Sequence, residues 1–303
     1  MAIICFDIGG SFIKGAVARA PEDISPLPPR PTPLTDFDAF VATLIGVIAV
    51  SGIRPERIAL SITGVIDPET GVATVANIPC IHGRTLRADL EAVLGVDVLV
   101  ANDADCFALA EAGLGAGRGH AIVLGAILGS GVGGGLVVDG RLVNESGGFA
   151  GEWGHGPVLP FFAGDPPVAI PAYECACGQR RCVNTVGGAR GMERLHLEIH
   201  RTALSSKEIV IRWLAGNAEA ARTIEIYVDL IASPLALAVN ITGASIVPVG
   251  GGLSNSAELI VRIDETVRQR TLRRFSQPLV VPSMLTMEPG LTGAALLGLR
   301  ERA

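Results

Sequence analysis

The sequence predicts an α/β layered fold, because short apolar strands alternate with helical segments along the chain. Hydrophobic residues make up 49% of the 303 residues and charged residues only 18%, so the chain can bury a large core. The order strand, glycine-rich turn, strand occurs twice, at 3–18 and at 121–138. This weak internal repeat predicts two similar halves, each of which presents one glycine turn.

The first half is predicted to begin with two strands joined by a tight turn, at 3–7 and 13–18. Six prolines from Pro21 to Pro33 predict an extended connection, because proline lacks a backbone donor and is excluded from helix interiors. The elements expected next are a helix capped by Thr35 or Asp36 that ends near Ser51, a strand at 58–62, a turn at 67–71, a helix at 85–95, a strand at 96–101 and a helix at 104–113.

The second half repeats this beginning, with a strand at 121–128, a glycine-rich turn and a strand at 135–138. Helices at 187–201, 219–239 and 293–299 and a strand at 244–249 are expected to follow. We predict a small N-terminal domain of residues 1–118 plus 291–303. Residues 119–290 are predicted to form a larger C-terminal domain with the cysteine-rich loop.

The distribution of charge excludes several classes of protein. A net charge of −6 argues against a nucleic-acid partner, which needs a basic surface. The first apolar run is interrupted by Asp7, so no secretory signal is predicted. The uncharged stretches 121–138 and 230–257 are broken by glycine and proline, whereas a membrane helix needs about 20 continuous apolar residues. We therefore expect a cytoplasmic protein with no membrane partner.

Three cysteines and one histidine suggest a metal site. Cys175, Cys177 and Cys182 are clustered, and His155 is the candidate for a fourth ligand. Thiolates and an imidazole in this number suit a tetrahedral structural zinc, which would hold the loop that contains Glu152. The alternative is three reduced, buried cysteines without a metal.

The glycine turns predict phosphate binding, because glycine lets backbone N–H groups approach phosphate oxygens closely. Asp7, at a strand end beside Gly9 and Gly10, is either an indirect magnesium anchor or a turn cap. Asp103 is either the acceptor of a substrate hydroxyl proton or the N-cap of the helix at 104–113. The hydroxyls of Ser11 and Ser130 could donate to phosphate.

Together these segments resemble the ROK family of sugar kinases. The resemblance spans essentially the whole chain, and its motifs are Asp7-Ile8-Gly9-Gly10-Ser11, Asn102-Asp103-Ala104, the turn from Gly129 to Gly134, Glu152-Trp153-Gly154-His155 and the cysteine cluster. It implies an actin-like, ribonuclease-H-like duplicated fold with an active-site cleft between two domains. It also implies transfer of the ATP γ-phosphate to the C6 hydroxyl of a hexose or N-acetylhexosamine, with N-acetyl-D-glucosamine as the first choice.

The resemblance assigns roles to individual positions. Asp103 would be the catalytic base, and His155, Cys175, Cys177 and Cys182 would hold zinc. The expected sugar-binding residues are Gly64, Asn77, Asn102, Asp103, Glu152, His155 and Asn184. The expected ATP-binding residues are Asp7, Gly9, Gly10, Ser11, Lys14, Ser130, Gly131, Gly133 and Gly251. The expected cofactors are ATP, Mg²⁺ and structural Zn²⁺, and the expected assembly is a homodimer.

The sequence departs from the family pattern at four places. Serine replaces the usual threonine at Ser11 and Ser130, and Arg181 stands where a glycine usually precedes the last zinc cysteine. The loop from His155 to Cys175 is longer than in many members. Asn184 replaces a sugar-binding glutamate. The alternatives are therefore a kinase for glucose, fructose or N-acetylmannosamine, or a non-catalytic sugar-sensing regulator, although a repressor would need a DNA-binding domain before the first strand.

Overall fold

The computed structural model describes residues 2–285 and 288–300. The strands, in chain order, are β1 (Ile3–Ile8), β2 (Phe12–Ala20), β3 (Asp23–Pro26), β4 (Arg30–Pro31), β5 (Arg57–Ile62), β6 (Gly64–Ile66), β7 (Ala73–Val75), β8 (Asp97–Asn102), β9 (Ile122–Leu128), β10 (Val132–Val138), β11 (Arg141–Leu142), β12 (Phe162–Ala163), β13 (Val168–Ala169), β14 (Val247–Gly250) and β15 (Val280–Pro282). The helices are α1 (Phe37–Ser51), α2 (Leu86–Leu94), α3 (Asp103–Leu114), α4 (Asn184–Gly187), α5 (Ala189–His200), α6 (Ser206–Leu214), α7 (Ala218–Thr242), α8 (Ala257–Arg270) and α9 (Pro289–Leu299).

The first large sheet has the order β3-β2-β1-β5-β8, with β4 also paired to β2. Strands β1, β5 and β8 are parallel, and their register aligns Ile8 with Ile62 and Ile62 with Asn102. Because the carboxyl ends of parallel strands meet at one edge of a sheet, the turn after β1 and the start of α3 lie at the same edge.

The second large sheet has the order β11-β10-β9-β14-β15. Strand β14 is parallel to β9, with Gly250 aligned with Ile127, and parallel to β15. This register brings the glycine turn that follows β9 and the glycine turn that follows β14 to the same end of the sheet. The predicted α/β class and the predicted repeat of strand, turn and strand are confirmed.

The chain divides into two compact units. Unit 1 contains Met1–Arg118, Gly135–Ala150 and Leu285–Ala303, and unit 2 contains Gly119–Gly134 and Gly151–Met284. The predicted boundaries differ, since they assigned 135–150 and 285–290 to the C-terminal domain. The last three residues of the predicted segment 291–303 lie outside the described part of the chain.

Side-chain and backbone contacts explain why 135–150 belongs with unit 1. A Cβ on Gly135 would lie 2.7 Å from the carbonyl oxygen of Ala104, so this strand passes directly over α3. Further along, the Asn144 amide donates to the buried carboxylate of Asp105, also on α3, at 3.1 Å. Sequence periodicity does not report contacts of this kind, because they depend on which helix the strand crosses.

The core of unit 1 is a continuous apolar cluster between the first sheet and its helices. It contains Phe6, Phe40, Leu44, Ile58 and Leu60, all fully buried. The proline-rich segment is extended as predicted, and part of it forms β3 and β4 at the sheet edge, where proline's missing N–H is tolerated.

The helices of unit 2 differ in detail from the sequence prediction. The helix expected at 187–201 is interrupted at Gly188, which has extended backbone between α4 and α5. Helices α6 and α8 were not predicted, although Ser205 and Glu208 form a complete capping box before α6.

Helix α7 is the one helix among the described residues that is long and apolar enough to cross a membrane. However, 56% of its most apolar window is buried inside the protein. Its inward face includes the fully buried Tyr227, whose hydroxyl donates to the Gly187 carbonyl at 2.6 Å. A buried helix followed by a buried strand was predicted for 230–257, and α7 followed by β14 confirms it.

We predict that acid weakens unit 2 through His196. This fully buried side chain forms a 2.7 Å hydrogen bond between its Nδ1 and Thr223 Oγ1. Burial, together with nearby His200, lowers the pKa of His196. The imidazole of His196 is therefore protonated at a higher pH in the unfolded chain than in the folded protein. The neutral, buried His196 contributes its full stabilisation above about pH 6.5, the pKa of an unfolded histidine. That contribution is lost as the pH falls towards the lower pKa that His196 has in the folded protein.

Urea unfolding between pH 5 and 8 would measure this effect, with His196→Asn as the comparison because its amide can replace Nδ1. The wild-type free energy of unfolding should fall with acid more steeply than that of the variant, by at most about 1.4 kcal/mol per pH unit for one group. If the free energies of unfolding of wild type and variant changed with pH in parallel, the acid sensitivity would belong to other residues.

Candidate functional site

One imidazole and three thiols converge in unit 2. The ligand atoms of His155, Cys175, Cys177 and Cys182 all lie within 4.8 Å of one another. Cys175 Sγ is 3.6 Å from His155 Nδ1, and Cys177 Sγ is 3.6 Å from Cys182 Sγ. A tetrahedral zinc with Zn–S bonds of about 2.3 Å needs sulfur–sulfur separations of about 3.8 Å, so the donor set fits zinc.

A short backbone turn presents the first two cysteines. The Gly178 N–H donates to the Cys175 carbonyl at 2.9 Å, and Gly178 has a positive φ of 85° that favours glycine. The Cys175 N–H donates in turn to the Gln179 carbonyl at 2.8 Å. These bonds hold both thiols on one side of the turn, as a chelating loop requires.

Arg181 and the long preceding loop, two of the departures from the family pattern, form one structural feature. Arg181 is left-handed, with φ of 63°, at the position where the family has glycine. Its guanidinium donates to the Pro160 carbonyl at 2.9 Å and stacks over the Phe161 ring at 3.8 Å. A left-handed conformation costs a non-glycine residue about 1–2 kcal/mol, and these contacts with the longer loop offset that strain.

His155 faces in two directions. Its Nδ1 is directed at the cysteines, whereas its Nε2 is 3.8 Å from Glu152 Oε2, which is an ion-pair distance and too long for a hydrogen bond. Burial raises the pKa of Glu152, and the adjacent His155 opposes that shift. Trp153 between them donates from its indole to the Gly133 carbonyl at 2.9 Å, which attaches this segment to the glycine turn.

Close backbone contacts hold the glycine turn of unit 2. The Ala189 N–H donates to the Gly129 carbonyl at 2.7 Å, and a Cβ on Gly188 would lie 2.4 Å from the Ser130 carbonyl oxygen. From the other side, a Cβ on Gly251 would lie 2.5 Å from the Leu128 carbonyl. The predicted phosphate residues Ser130, Gly131, Gly133 and Gly251 are therefore brought together.

A cavity of about 640 Å³ opens beside this turn. It is lined by Gly129, Ser130, Ala189, Ser206, Lys207, Val210, Ile211, Gly252, Leu253, Asn255 and Ser256. Most of these residues, including Lys207 and Ile211 on α6, were missed by the sequence analysis. The capping box at Ser205 and Glu208 was the signal that could have located α6.

In unit 1, Asn102 and Asp103 begin α3 at the end of β8. Asn102 is the N-cap, because its Oδ1 accepts from the Ala104 N–H at 2.8 Å. Its Nδ2 donates to the Gly64 carbonyl at 2.8 Å, which brings a third predicted sugar residue to the same place. Asp103 Oδ1 also accepts from the Ala104 N–H, at 2.9 Å, so its carboxylate lies at the positive end of the helix.

The turn between β1 and β2 brings together another predicted group in unit 1. A Cβ on Gly10 would lie 3.3 Å from Asn77 Nδ2, so Asn77 lies against this turn. Asp7 Oδ1 accepts from Ser61 Oγ at 2.8 Å, and burial raises the pKa of this carboxyl. Lys14, across the hairpin from Asp7, forms an ion pair with Glu288 at 2.6 Å.

Comparison with known proteins adds independent information. A family model described as the ROK family matches residues 3–301. The chain is 32% identical to an N-acetyl-D-glucosamine kinase of Pasteurella multocida over 299 residues, covering 96% of this chain and 97% of that protein. Its fold matches the ROK hexokinase of Thermus thermophilus with a TM-score of 0.83 at 28% identity, covering 98% of each chain.

A second solved structure is similar over the same span. It is a ROK family glucokinase from Streptomyces griseus in complex with glucose and AMPPNP, with a TM-score of 0.73 and 25% identity, covering 98% of this chain and 99% of that chain. The predicted actin-like ATPase fold is confirmed. The roles assigned to individual site residues stay predictions.

We predict that the purified protein contains about one zinc per chain, because a closed four-ligand site retains its metal. Cys177→Ser should lower the zinc content measured by elemental analysis after dialysis against a chelator. It should also lower the melting temperature, since one thiolate of the set is lost. Cys80→Ser, a half-buried cysteine outside the cluster, is the control and should retain zinc. Wild-type protein that is folded and active without metal would contradict the assignment.

Proposed function

The chain belongs to the ROK family, and on that premise we propose that it transfers the γ-phosphoryl group of ATP to the C6 hydroxyl of a hexose or N-acetylhexosamine. N-acetyl-D-glucosamine is the proposed substrate, because the kinase of Pasteurella multocida that shares 32% identity with this chain has that name. The expectations of a homodimer and of a cytoplasmic location remain predictions.

The cavity beside the glycine turn is the observation that best supports a nucleotide-dependent activity. Its volume of about 640 Å³ falls in the range of about 300–1,000 Å³ typical of small-molecule sites. Val210 and Ile211 offer apolar surface for a base, Lys207 offers a cation, and Ser130 lies where the cavity meets the turn. This arrangement suits an adenosine moiety in the cavity with its phosphates at the turn.

Asp103 is the proposed general base. Its carboxylate accepts the proton of the sugar hydroxyl while the hydroxyl oxygen attacks the γ-phosphorus and ADP leaves. The hydrogen bond that Asp103 Oδ1 accepts from the Ala104 N–H holds the carboxylate at the start of α3. The side chain of Asn102 accepts a hydrogen bond from the Ala104 N–H and donates one to the Gly64 carbonyl. These two bonds fix the start of α3, so the proposed base has a defined position.

Contacts with sugar hydroxyls are proposed for each unit by itself. In unit 1, the proposed sugar-binding groups are Asn77, Asn102 and the backbone of Gly64. In unit 2, the proposed sugar-binding groups are Glu152 and His155. The Nδ1 atom of His155 faces Cys175, and its Nε2 atom faces the Glu152 carboxylate. A zinc ion held by His155 and the three cysteines would act structurally, because it would fix the imidazole that is proposed to bind the substrate.

Magnesium would be held indirectly, through water, by Asp7. Burial raises the pKa of this carboxyl, so a nearby cation would stabilise its charged form. When bound with ATP, Mg²⁺ neutralises charge on the β- and γ-phosphates. Asp7 itself is oriented by the Ser61 hydroxyl and by the close approach of Gly290 at the start of α9.

The function is tested by Asp103→Asn, which keeps the shape of the side chain and its bond to Ala104 but removes the proton acceptor. General-base catalysis contributes about 10²–10⁴-fold, so kcat should fall by that order while the Kd of the sugar changes little. The measurement is ADP release in a coupled assay over glucose, mannose, fructose, N-acetylglucosamine and N-acetylmannosamine.

Asp38→Asn is the matched control, because Asp38 is an exposed aspartate in the first turn of α1 in the same unit. It should leave kcat unchanged. Undiminished kcat in Asp103→Asn would remove the proposed base. Absence of ADP release by the wild-type protein with every sugar would contradict the kinase assignment.

A further inference from the structure

We infer that Asn184 is a positioning residue, although the family has a sugar-binding glutamate at its position. It connects the metal loop, residues 175–182, to the glycine turn that is proposed to bind phosphate, residues 129–132. The inference rests on the proposed function, because it gives the turn at 129–132 a nucleotide to bind. It does not depend on which sugar is phosphorylated.

Asn184 forms hydrogen bonds with three segments of unit 2. Its backbone N–H donates to the Gly154 carbonyl at 2.8 Å, next to His155. Its side-chain Oδ1 accepts from the Val132 N–H at 2.7 Å, at the end of the glycine turn. Its Nδ2 lies 3.6 Å from Cys175 Sγ, within the range of a hydrogen bond to sulfur. No change of side chain removes the first bond, so variants test the other two.

The amide is suited to this position because it donates and accepts at the same time. A thiolate bound to zinc carries negative charge, and an N–H donor beside it stabilises that charge. A carboxylate could accept from Val132 but could not donate to the sulfur, and its charge would repel the thiolate. Glutamate therefore cannot form this pair of contacts, whereas asparagine can.

The space around Asn184 supports a fixed side chain. A Cβ on Gly131 would lie only 2.5 Å from Asn184 Oδ1, so the side chain is packed directly against the turn. Glycine at 131 is thus required by this contact as well as by any approach of phosphate. Because Asn184 engages the Val132 N–H, it fixes the end of the turn whose earlier N–H groups, at Ser130 and Gly131, are proposed to meet phosphate.

Two sites that share one side chain should affect each other. A nucleotide that orders the turn also orders Asn184 and thereby the donor to Cys175, so zinc should leave more slowly from the nucleotide-bound protein. This coupling is reciprocal for equilibrium binding. A residue that only contacted sugar would produce no such coupling.

The experiment measures zinc release from the holoenzyme to a chromogenic chelator, with and without a saturating non-hydrolysable ATP analogue and without sugar. Asn184→Asp keeps the acceptor and loses the donor, so zinc release should be about 10–100-fold faster than in wild type, the usual effect of losing an outer-shell partner. Asn184→Ala loses both contacts. Its zinc release should be similarly fast, and its affinity for the analogue, measured by calorimetry, should fall about tenfold.

The decisive comparison is the effect of the nucleotide. The analogue should slow zinc release several-fold in wild type and have no effect on the rate in Asn184→Ala. Gln179→Glu is the matched control, because it makes the same kind of amide-to-acid change at an exposed position in the metal loop. It should release zinc at the wild-type rate and keep the nucleotide effect. The melting temperatures of the zinc-loaded variants show whether each is folded.

The inference is overturned if both Asn184 variants release zinc at the wild-type rate, or if the nucleotide slows release equally in wild type and Asn184→Ala. A loss of sugar affinity with zinc release and analogue affinity unchanged would instead make Asn184 a sugar contact, as its family position suggests. These readouts require no phosphoryl transfer, so they stand even if the proposed sugar kinase activity is not found.

Discussion

The convergence of four donor atoms within 4.8 Å is the constraint on which the site of unit 2 depends. The chain reaches these atoms from two segments, one at His155 and one at 175–182, and the connection between them contains the short paired strands β12 and β13. Without a metal, three thiols and an imidazole offer each other only weak hydrogen bonds. With zinc, the donor set becomes a cross-link that fixes the orientation of His155 and, through the backbone, the position of Glu152.

Glycine residues have a different physical role here from the one that their sequence pattern suggests. The sequence pattern indicates phosphate binding, yet many of the glycines are required by contacts within the protein itself. Gly251 lies against Leu128, Gly188 against Ser130, and Gly131 against Asn184, each too close for a Cβ. The turn is thus held from several sides before any ligand binds, which reduces the ordering that a bound phosphate would have to impose.

The departures from the family pattern are structurally connected. Arg181 accepts a left-handed conformation and uses its guanidinium to hold the longer loop, at Pro160 and Phe161. Asn184, two residues beyond Cys182, contacts both the turn and the Cys175 thiol of the candidate metal site. Both substitutions lie beside the same metal loop, and each replaces a residue of different size or charge.

Local sequence patterns were sufficient to predict the fold class, the repeated strand–turn–strand pattern and the residues of the metal set. The fold class and the repeat depend on local periodicity, and the three cysteines are closely spaced, so a linear pattern records these features. His155 lies 20 residues before Cys175, and the folded structure brings its imidazole to the thiols. The three-dimensional structure was needed to show that 135–150 packs with unit 1, that α6 lines the cavity beside the glycine turn, and that Asn184 connects Val132 to Cys175. Those features arise from contacts between segments far apart in the chain, and no local pattern specifies which segments will meet.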